Sequence, residues 1–314
     1  MALTLNTFTT GSAIGNREDL SDIIYRISPT QTPVLSMAAK AKATAITHEW
    51  QTQDLASASP TSSIASEGAD ATTKSVTATV RLGNKCQINS KSISVSGTQQ
   101  AVNPAGRKDE LAYQMSMISL ELKRDMEAGI LQNDVVGSSP NKSRGLRGWI
   151  TDNTSTGASY SAPSAYTGTG TTATTDGTQR AFTESLLKTV LQSVYTAGGD
   201  PDTIILPPNQ KQTFSTFTGN ATRFDKSEDA KLYASVDVYV SDFGELSVVP
   251  DRFFRAANRE AFILQSDKLA IAYLRPFTTF ELATTGDAQN RQVVVEWTLE
   301  CRAPKAHGAV YDLS

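Results

Sequence analysis

Between residues 106 and 133, apolar side chains fall at Leu111, Met115, Ile118, Leu122, Met126 and Ile130, at steps of four, three, four, four and four. That spacing lays one apolar stripe along an α-helix. A helix over this span runs roughly 40 Å at 1.5 Å per residue, long for a globular protein and suited to a spine. Lys108, Glu121, Lys123, Arg124 and Glu127 fall mainly off the stripe, and Lys123–Glu127 has the i,i+4 spacing of an exposed ion pair.

Upstream, over residues 43–102, the period changes to two. Ile46, His48 and Trp50 alternate with polar residues, as do Val76, Ala78, Val80 and Leu82; Ile88, Ile93 and Val95 continue more loosely. This predicts a long β-ribbon with one apolar face and a polar tip from Thr52 to Thr73. A two-stranded ribbon is marginal alone in water, and no neighbouring helix is in view to cover it. Residues 1–42 read as an arm. A helical turn is expected from Asp19 to Ile27, stopped by Ser28-Pro29 and Thr32-Pro33, before a small apolar patch at Val34, Leu35 and Met37. An arm this small is not expected to bury that patch alone.

After the spine, in a section spanning residues 103–178 with it, Gly145-Leu146 and Gly148-Trp149-Ile150 suggest a short strand, and Asn153–Thr178 reads as a Ser/Thr/Gly-rich surface loop. Residues 179–273 read as an α/β section. Its parts are a helix Thr183–Thr196 ended by Gly198-Gly199, a strand Thr203–Leu206, a helix Asn209–Phe217, a polar loop 218–230, and strands around Val236–Val240, Leu246–Val248, Ala261–Leu264 and Leu269–Tyr273. Residues 274–314 close the chain with strands Phe277–Thr284 and Gln292–Cys301, a loop Gly286–Arg291 between them, and a last strand Gly308–Leu313. In the second of these, Val293, Val295, Trp297 and Leu299 face one way and Glu296, Thr298 and Glu300 the other.

Composition narrows the function classes. Of 314 residues, 39% are apolar and 19% charged, so Ser, Thr, Gly, Asn and Gln fill the remainder, which suits extended segments more than one dense core. The net charge of -3 and the lack of a Lys/Arg block argue against a nucleic-acid groove. Arg144 and Arg147 read as a solvated turn. Two distant cysteines, Cys86 and Cys301, fit a reduced compartment and buried small-apolar roles. No secretion signal is read in Met1–Gly15, and no membrane-spanning run is present.

No constellation for catalysis emerges. His48 and His307 are the two histidines, and neither lies in a metal-ligand pattern. There is no G-x-S-x-G elbow, and Gly168-Thr169-Gly170 lacks the lysine of a phosphate loop. Carboxylate pairs such as Asp109–Glu110 and Glu228–Asp229 read as solvated charge, and Asp251-Arg252 and Glu260 as intersubunit ion pairs or plain surface. No catalytic, cofactor or metal residues are predicted.

The order of arm, long ribbon, spine helix, α/β section and returning strands resembles that of the HK97-type major capsid proteins of tailed bacteriophages. So do Thr-Gly-Ser-Ala-Ile-Gly-Asn-Arg-Glu-Asp-Leu (10–20), Ile-Ser-Pro-Thr-Gln-Thr-Pro (27–33), His-Glu-Trp-Gln (48–51), Ser-Asp-Phe-Gly (241–244), Val-Val-Pro-Asp-Arg (248–252) and Tyr-Leu-Arg-Pro (273–276). The resemblance implies an α+β fold with an N-terminal arm (1–42), an E-loop (43–102), a P-domain with the spine helix (103–178), an A-domain (179–273) and a P-domain β section (274–314). It implies a non-enzymatic shell subunit of the virion, assembled in the bacterial cytoplasm into pentamers and hexamers around double-stranded DNA. Portal, scaffold and decoration proteins would be further partners; no cofactor or membrane is implied. Candidate assembly residues are Ile46, His48, Trp50, Val76, Val80 and Leu82 of the ribbon, Arg223, Asp225, Lys226 and Glu228 of an axis-facing loop, and Asp287, Asn290 and Arg291 near three-fold contacts. Lys74, Lys85 and Lys91 lie in the ribbon region, but no covalent cross-link is predicted. A bacterial encapsulating compartment would share the fold. Other classes to weigh are a secreted Thr/Ser-rich binding module and a hydrolase with a dispersed carboxylate site.

Overall fold

The computed structural model describes residues 28–61, 64–70, 76, 78–102, 109–163, 172–217, 238–255, 258–284 and 286–314. The helical turn expected at Asp19–Ile27, the loop 218–230 and Val236 lie outside them.

The described part of the arm folds as α1 (Pro33–Met37) and β1 (Ala39–Lys42). Pro33 suits the first helical position because its φ is already helical and its missing N–H would have had no partner. Contrary to the sequence expectation, this segment is sheltered by its own chain. Val34 is fully buried in the main core, and β1 pairs in parallel with a strand near the C-terminus.

The ribbon is β2 (Thr47–Thr52) and β3 (Val80–Lys85), antiparallel from Thr47 opposite Lys85 to Thr52 opposite Val80. It is shorter than the alternation suggests: Ile46 precedes the first strand, and Val76 lies outside the second. Next come β4 (Gln87–Ser96), the short α2 (Gly97–Ala101) and the spine α3 (Glu110–Gln132). Asp109 caps α3 by accepting the Ala112 N–H at 3.1 Å. Its 23 residues span about 34 Å at the helical rise.

A small hairpin, β5 (Gly137–Ser138) with β6 (Asn141–Lys142), leads to α4 (Leu146–Trp149). The expected strand at 145–150 is therefore a helical turn. Gly145 begins it where the chain presses on the backbone of Gly129 and Ile130, leaving no room for a Cβ. Then follow β7 (Thr154–Ser155), α5 (Glu184–Thr196), β8 (Thr203–Leu206), α6 (Pro208–Phe214), β9 (Val238–Ser241), β10 (Gly244–Pro250), β11 (Ala261–Leu264), β12 (Leu269–Glu281), β13 (Ala288–Cys301) and β14 (Gly308–Val310).

Two sheets organise these strands. A four-stranded sheet has the order β1-β12-β13-β4, and a six-stranded sheet the order β7-β14-β11-β8-β10-β9. The spine lies on the first, with Ile118 and Leu122 against Val293. Helix α5 lies on the second, with Leu187, Val190, Leu191 and Val194 packed among Ile204, Leu206, Ile263 and Val310. Tyr195, near the end of α5, is exposed and stacks on Phe243 with ring centroids 4.7 Å apart.

Three expectations change here. The strand at 269–273 is the start of β12, which runs on through Pro276 at irregularities in its pairing with β13, the setting that tolerates a residue without an N–H. The last strand joins the six-stranded sheet. The Ser/Thr/Gly-rich stretch contributes that sheet's edge strand β7, and Asp312 fastens it by accepting the N–H groups of Gly157 (2.9 Å) and Gly177 (2.7 Å). The largest apolar cluster draws on both sheets: Ile205, Phe262 and Tyr311 from one side and Ile271, Val295 and Trp297 from the other, around Trp149.

Candidate assembly surfaces

The six ribbon residues do not form one bare face. His48, Trp50 and Leu82 turn onto the body of their own chain. The Trp50 ring lies 5.3 Å from that of Trp149, Leu82 is buried in the main core, and His48 Nε2 meets Glu300 Oε2 at 3.0 Å. Burial works against the Glu300 charge, but hydrogen bonds from Arg302 and His48 outweigh it and hold the carboxyl below its usual range. Asn84 completes the anchor. Its Nδ2 donates to the carbonyls of Leu299 (2.8 Å) and Arg144 (2.9 Å), and its Oδ1 accepts from the Arg144 N–H (2.9 Å). The expectation that nothing in the chain covers the ribbon is thus corrected at its base, because the cover comes from residues 143–149 and 297–300, distant in sequence.

The anchor ends at Asp54, whose carboxylate pairs with Lys305 at 2.6 Å beside a groove of about 330 Å³. From Leu55 to Val80 every described residue is exposed. Leu55 is 95% exposed, Val76 86% and Ile46 56%. Val80 lies on the same side of the ribbon as Leu82 but is half exposed, at the groove it lines with Ala303 and Pro304. Water-facing apolar groups this prominent mark a contact surface when they cluster on one element.

At the far end of the four-stranded sheet, Asn290 and Arg291 are strand residues of β13, not loop residues, and the connection is the turn 282–287. The polar run from Ala288 hid the strand, because backbone ladders to β12 and β4 form without apolar side chains. The Asp287 carbonyl accepts the Gly97 N–H at 3.1 Å, and Asn290 Nδ2 donates to the Ala283 carbonyl at 3.2 Å. The sheet face turned away from α3 carries Ser90, Ser92, Val294 and the exposed Ile88 and Phe280. On the opposite face Lys91 reaches Glu121 (3.1 Å) and Asp125 (2.8 Å) of the spine. Arg223, Asp225, Lys226 and Glu228 lie outside the described residues.

Sequence reasoning missed the buried charges. Arg144 and Arg147 are not a solvated turn; both are buried. Arg147 contacts Asp176 at 2.6 Å and Glu260 at 3.1 Å, and Arg255 contacts Asp176 at 3.0 Å. The Arg255 hydrogen bond, followed by the charges of Arg255, Arg147 and Arg259, holds the Asp176 carboxyl below its usual range despite partial burial. Asp251 and Glu260 are likewise interior, not surface or intersubunit groups. Glu127 does not pair with Lys123. It is fully buried and accepts the N–H groups of Val34 (2.7 Å) and Leu35 (2.8 Å). The available signal was its position four residues before Leu131, on a second apolar stripe that broadens the buried face of α3.

Among the described residues no group of three metal-ligating side chains converges, and no helix is long and apolar enough to cross a membrane. Cys86 and Cys301 are free and buried. Burial pushes His307 down to about 4, and its Nδ1 accepts the Gln265 N–H at 3.2 Å.

A spine helix on a four-stranded sheet, a neighbouring α/β sheet and a projecting ribbon together define the HK97-type capsid fold. The solved capsid of the native GTA particle shares it at a TM-score of 0.66 and 11% identity, over 97% of each chain. The cyanophage A-1(L) capsid gives 0.65 and 15%, over 97% of this chain and 98% of that one. A structure from Gordonia phage Cozz gives 0.62 and 14%, over 99% and 98%. The chain belongs to the SU10 major capsid protein family, whose model matches residues 3–314. The major capsid protein of Escherichia phage Phieco32 is 25% identical over 342 aligned residues, covering 95% of this chain and 94% of that protein.

Proposed function

We propose that this chain is the repeating subunit of an icosahedral phage head, joining its own copies as pentamers and hexamers around double-stranded DNA that it encloses without reading sequence. One observation carries the reading: the ribbon is anchored at its base and uncovered at every described residue from Leu55 to Val80. A projection held stiffly at its root presents its apolar groups to a neighbour at little further ordering cost. Many such weak contacts, repeated around a closed surface, sum to high stability.

In this reading residues 1–42 are the arm and 43–102 the E-loop. Residues 103–178 and 274–314 build most of the P-domain and 179–273 most of the A-domain, but β12 from Leu269 belongs with the P-domain sheet, and β7 and β14 belong with the A-domain sheet. The loop 218–230 with Arg223, Asp225, Lys226 and Glu228 faces the symmetry axes, and the hairpin tip with Asp287, Asn290 and Arg291 lies near three-fold contacts. The role is structural, with no reaction catalysed. Assembly occurs in the bacterial cytoplasm with portal, scaffold and decoration proteins as further partners.

The test replaces residues 55–78 by a two-residue Asn-Gly turn. The shortened chain is expected to unfold cooperatively, with a melting temperature near that of the parent, and to stay as small oligomers by size-exclusion chromatography and electron microscopy. Closed shells from it would overturn the assignment.

A further inference from the structure

Three parts of the chain meet at one buried point: the first turn of α1, the C-terminal third of α3 and the turn after β10. Thr32, at the N-cap of α1, makes no side-chain cap, and Pro33 has no N–H to satisfy. The next two amides are taken by the two oxygens of Glu127, Val34 N–H by Oε1 and Leu35 N–H by Oε2. The spine helix therefore does for the arm what a local capping residue normally does.

The second acid at this point is Asp251. Its Oδ1 accepts the Phe253 N–H at 2.8 Å, the Arg252 N–H also bears on the carboxyl, and Oδ2 is buried and accepts no hydrogen bond. The side chain of Glu127 lies at hydrogen-bonding distance from it. Neither acid forms an ion pair with a cation among the described residues. Arg124 lies over the Phe253 ring at 5.6 Å, and Arg252 lines a cavity of about 170 Å³ with Gln31, Pro33, Pro208, Pro250 and Asp251. Helix α1 carries no charged side chain.

Two ionised carboxylates cannot share such a site. Each loses hydration, and each repels the other without compensation. A single proton resolves both problems, giving Asp251 Oδ2 a donor while leaving oxygens free for the two amides of α1. We propose that Glu127 and Asp251 share one proton, and that this proton fastens the arm to the spine, so that α1 undocks when the pair loses it. Burial first, then the hydrogen bond to Asp251 and its charge, pushes Glu127 up to about 9 against the downward pull of the Leu35 and Val34 amides. Burial raises Asp251 as well, against its hydrogen bonds from Glu127 and the Phe253 and Arg252 amides. The loss of hydration on docking must therefore outweigh the arm's own amides for the clasp to open when the proton leaves. The clasp is thus closed at neutral pH and opens under alkaline conditions. With one proton linked to docking, the docking constant falls up to about tenfold per pH unit above the pair's pKa.

Hydrogen–deuterium exchange on the full-length chain from pH 6 to pH 10, corrected for intrinsic exchange rates, reads this directly. In the parent, protection of the amides of residues 34–38 is expected to fall above about pH 9, by up to tenfold per unit. In Glu127→Gln, whose amide keeps one donor and one acceptor but has no proton to lose, protection is expected to stay flat. Asp251→Asn provides the same neutral pair from the other side, and serves if the first variant does not fold. Infrared spectroscopy of the parent at pH 7 is expected to show a protonated carboxyl that either variant removes. Flat protection in the parent up to pH 10, a parent-like alkaline loss in either folded variant, or no protonated carboxyl at pH 7 would each overturn the proposal.

Discussion

Asn84 joins three separate parts of the molecule, and replacing it measures how firmly the ribbon is rooted. Its side chain bonds the carbonyls of Leu299 and Arg144 and the N–H of Arg144, at 2.8–2.9 Å, in a site where the residue is almost fully buried. Each such bond contributes about 1 kcal/mol net, and each buried partner left unpaired costs about 1–3 kcal/mol. Asn84→Ala removes these three bonds together with a donation to Ser143 Oγ (3.1 Å) and an acceptance from the Lys85 N–H (3.0 Å), and strands the Leu299 carbonyl and the Arg144 amide; allowing for partial rehydration, the expected loss is about 4 kcal/mol. Asn84→Asp retains the shape and the Oδ1 acceptor but aims a carboxylate oxygen at two carbonyls. It is expected to be worse than alanine, because an uncompensated charge is buried. Urea unfolding of the full chain at neutral pH, followed by tryptophan fluorescence, gives both values, since Trp50 and Trp149 sit beside the anchor. An alanine variant within about 1 kcal/mol of the parent, or an aspartate variant no worse than alanine, would refute the claim that this polar junction roots the ribbon.

Two further predictions concern charge and exposure. Asp176→Asn removes one of the two carboxylates, with Glu260, that Arg147 and Arg255 share, and is expected to cost about 2–3 kcal/mol, below the figure for a fully buried pair because Asp176 is partly exposed. Because the folded protein depresses this carboxyl, its contribution is present above the unfolded value near pH 3.9 and is lost as pH falls through the folded one. Urea midpoints from pH 2 to pH 6 should therefore show a weaker acid-side decline in the variant. The double change Leu55→Asp and Ile64→Asp, at exposed ribbon sites, should leave the melting temperature of the unassembled chain unchanged while raising the concentration needed for shells to appear by light scattering. Unchanged assembly would show that these side chains meet no neighbour.

The parts of the fold that could be read from the sequence are those whose burial repeats locally. The stripe from Leu111 to Ile130 became α3, and the alternation Val293, Val295, Trp297, Leu299 became the apolar face of β13, while Glu296, Thr298 and Glu300 on its other face are buried as well. What escaped depends on partners distant along the chain. Arg147 looks like a solvated turn until Asp176 and Glu260 are brought to it, and Glu127 looks like half of a surface pair until the arm's amides arrive. The same holds for the ribbon. Its exposure was expected to be complete because Trp149, whose ring lies tilted against that of Trp50, is about a hundred residues on in a stretch too short to show a period. For the candidate surfaces, alternation identified the right strands but not where the body stops covering them. That boundary, at Asp54, is set by tertiary packing and a pair with Lys305.

The apolar cluster around Trp149 takes side chains from both sheets at once. Sliding one sheet over the other would open that cluster and forfeit close packing on both sides, so the two layers must move as a stiff plate. A curved lattice asks chemically identical plates to meet at differing angles. That accommodation falls to the fringe, where the exposed residues that follow Asp54 take part in no interior contact and can follow a neighbour without disturbing the core.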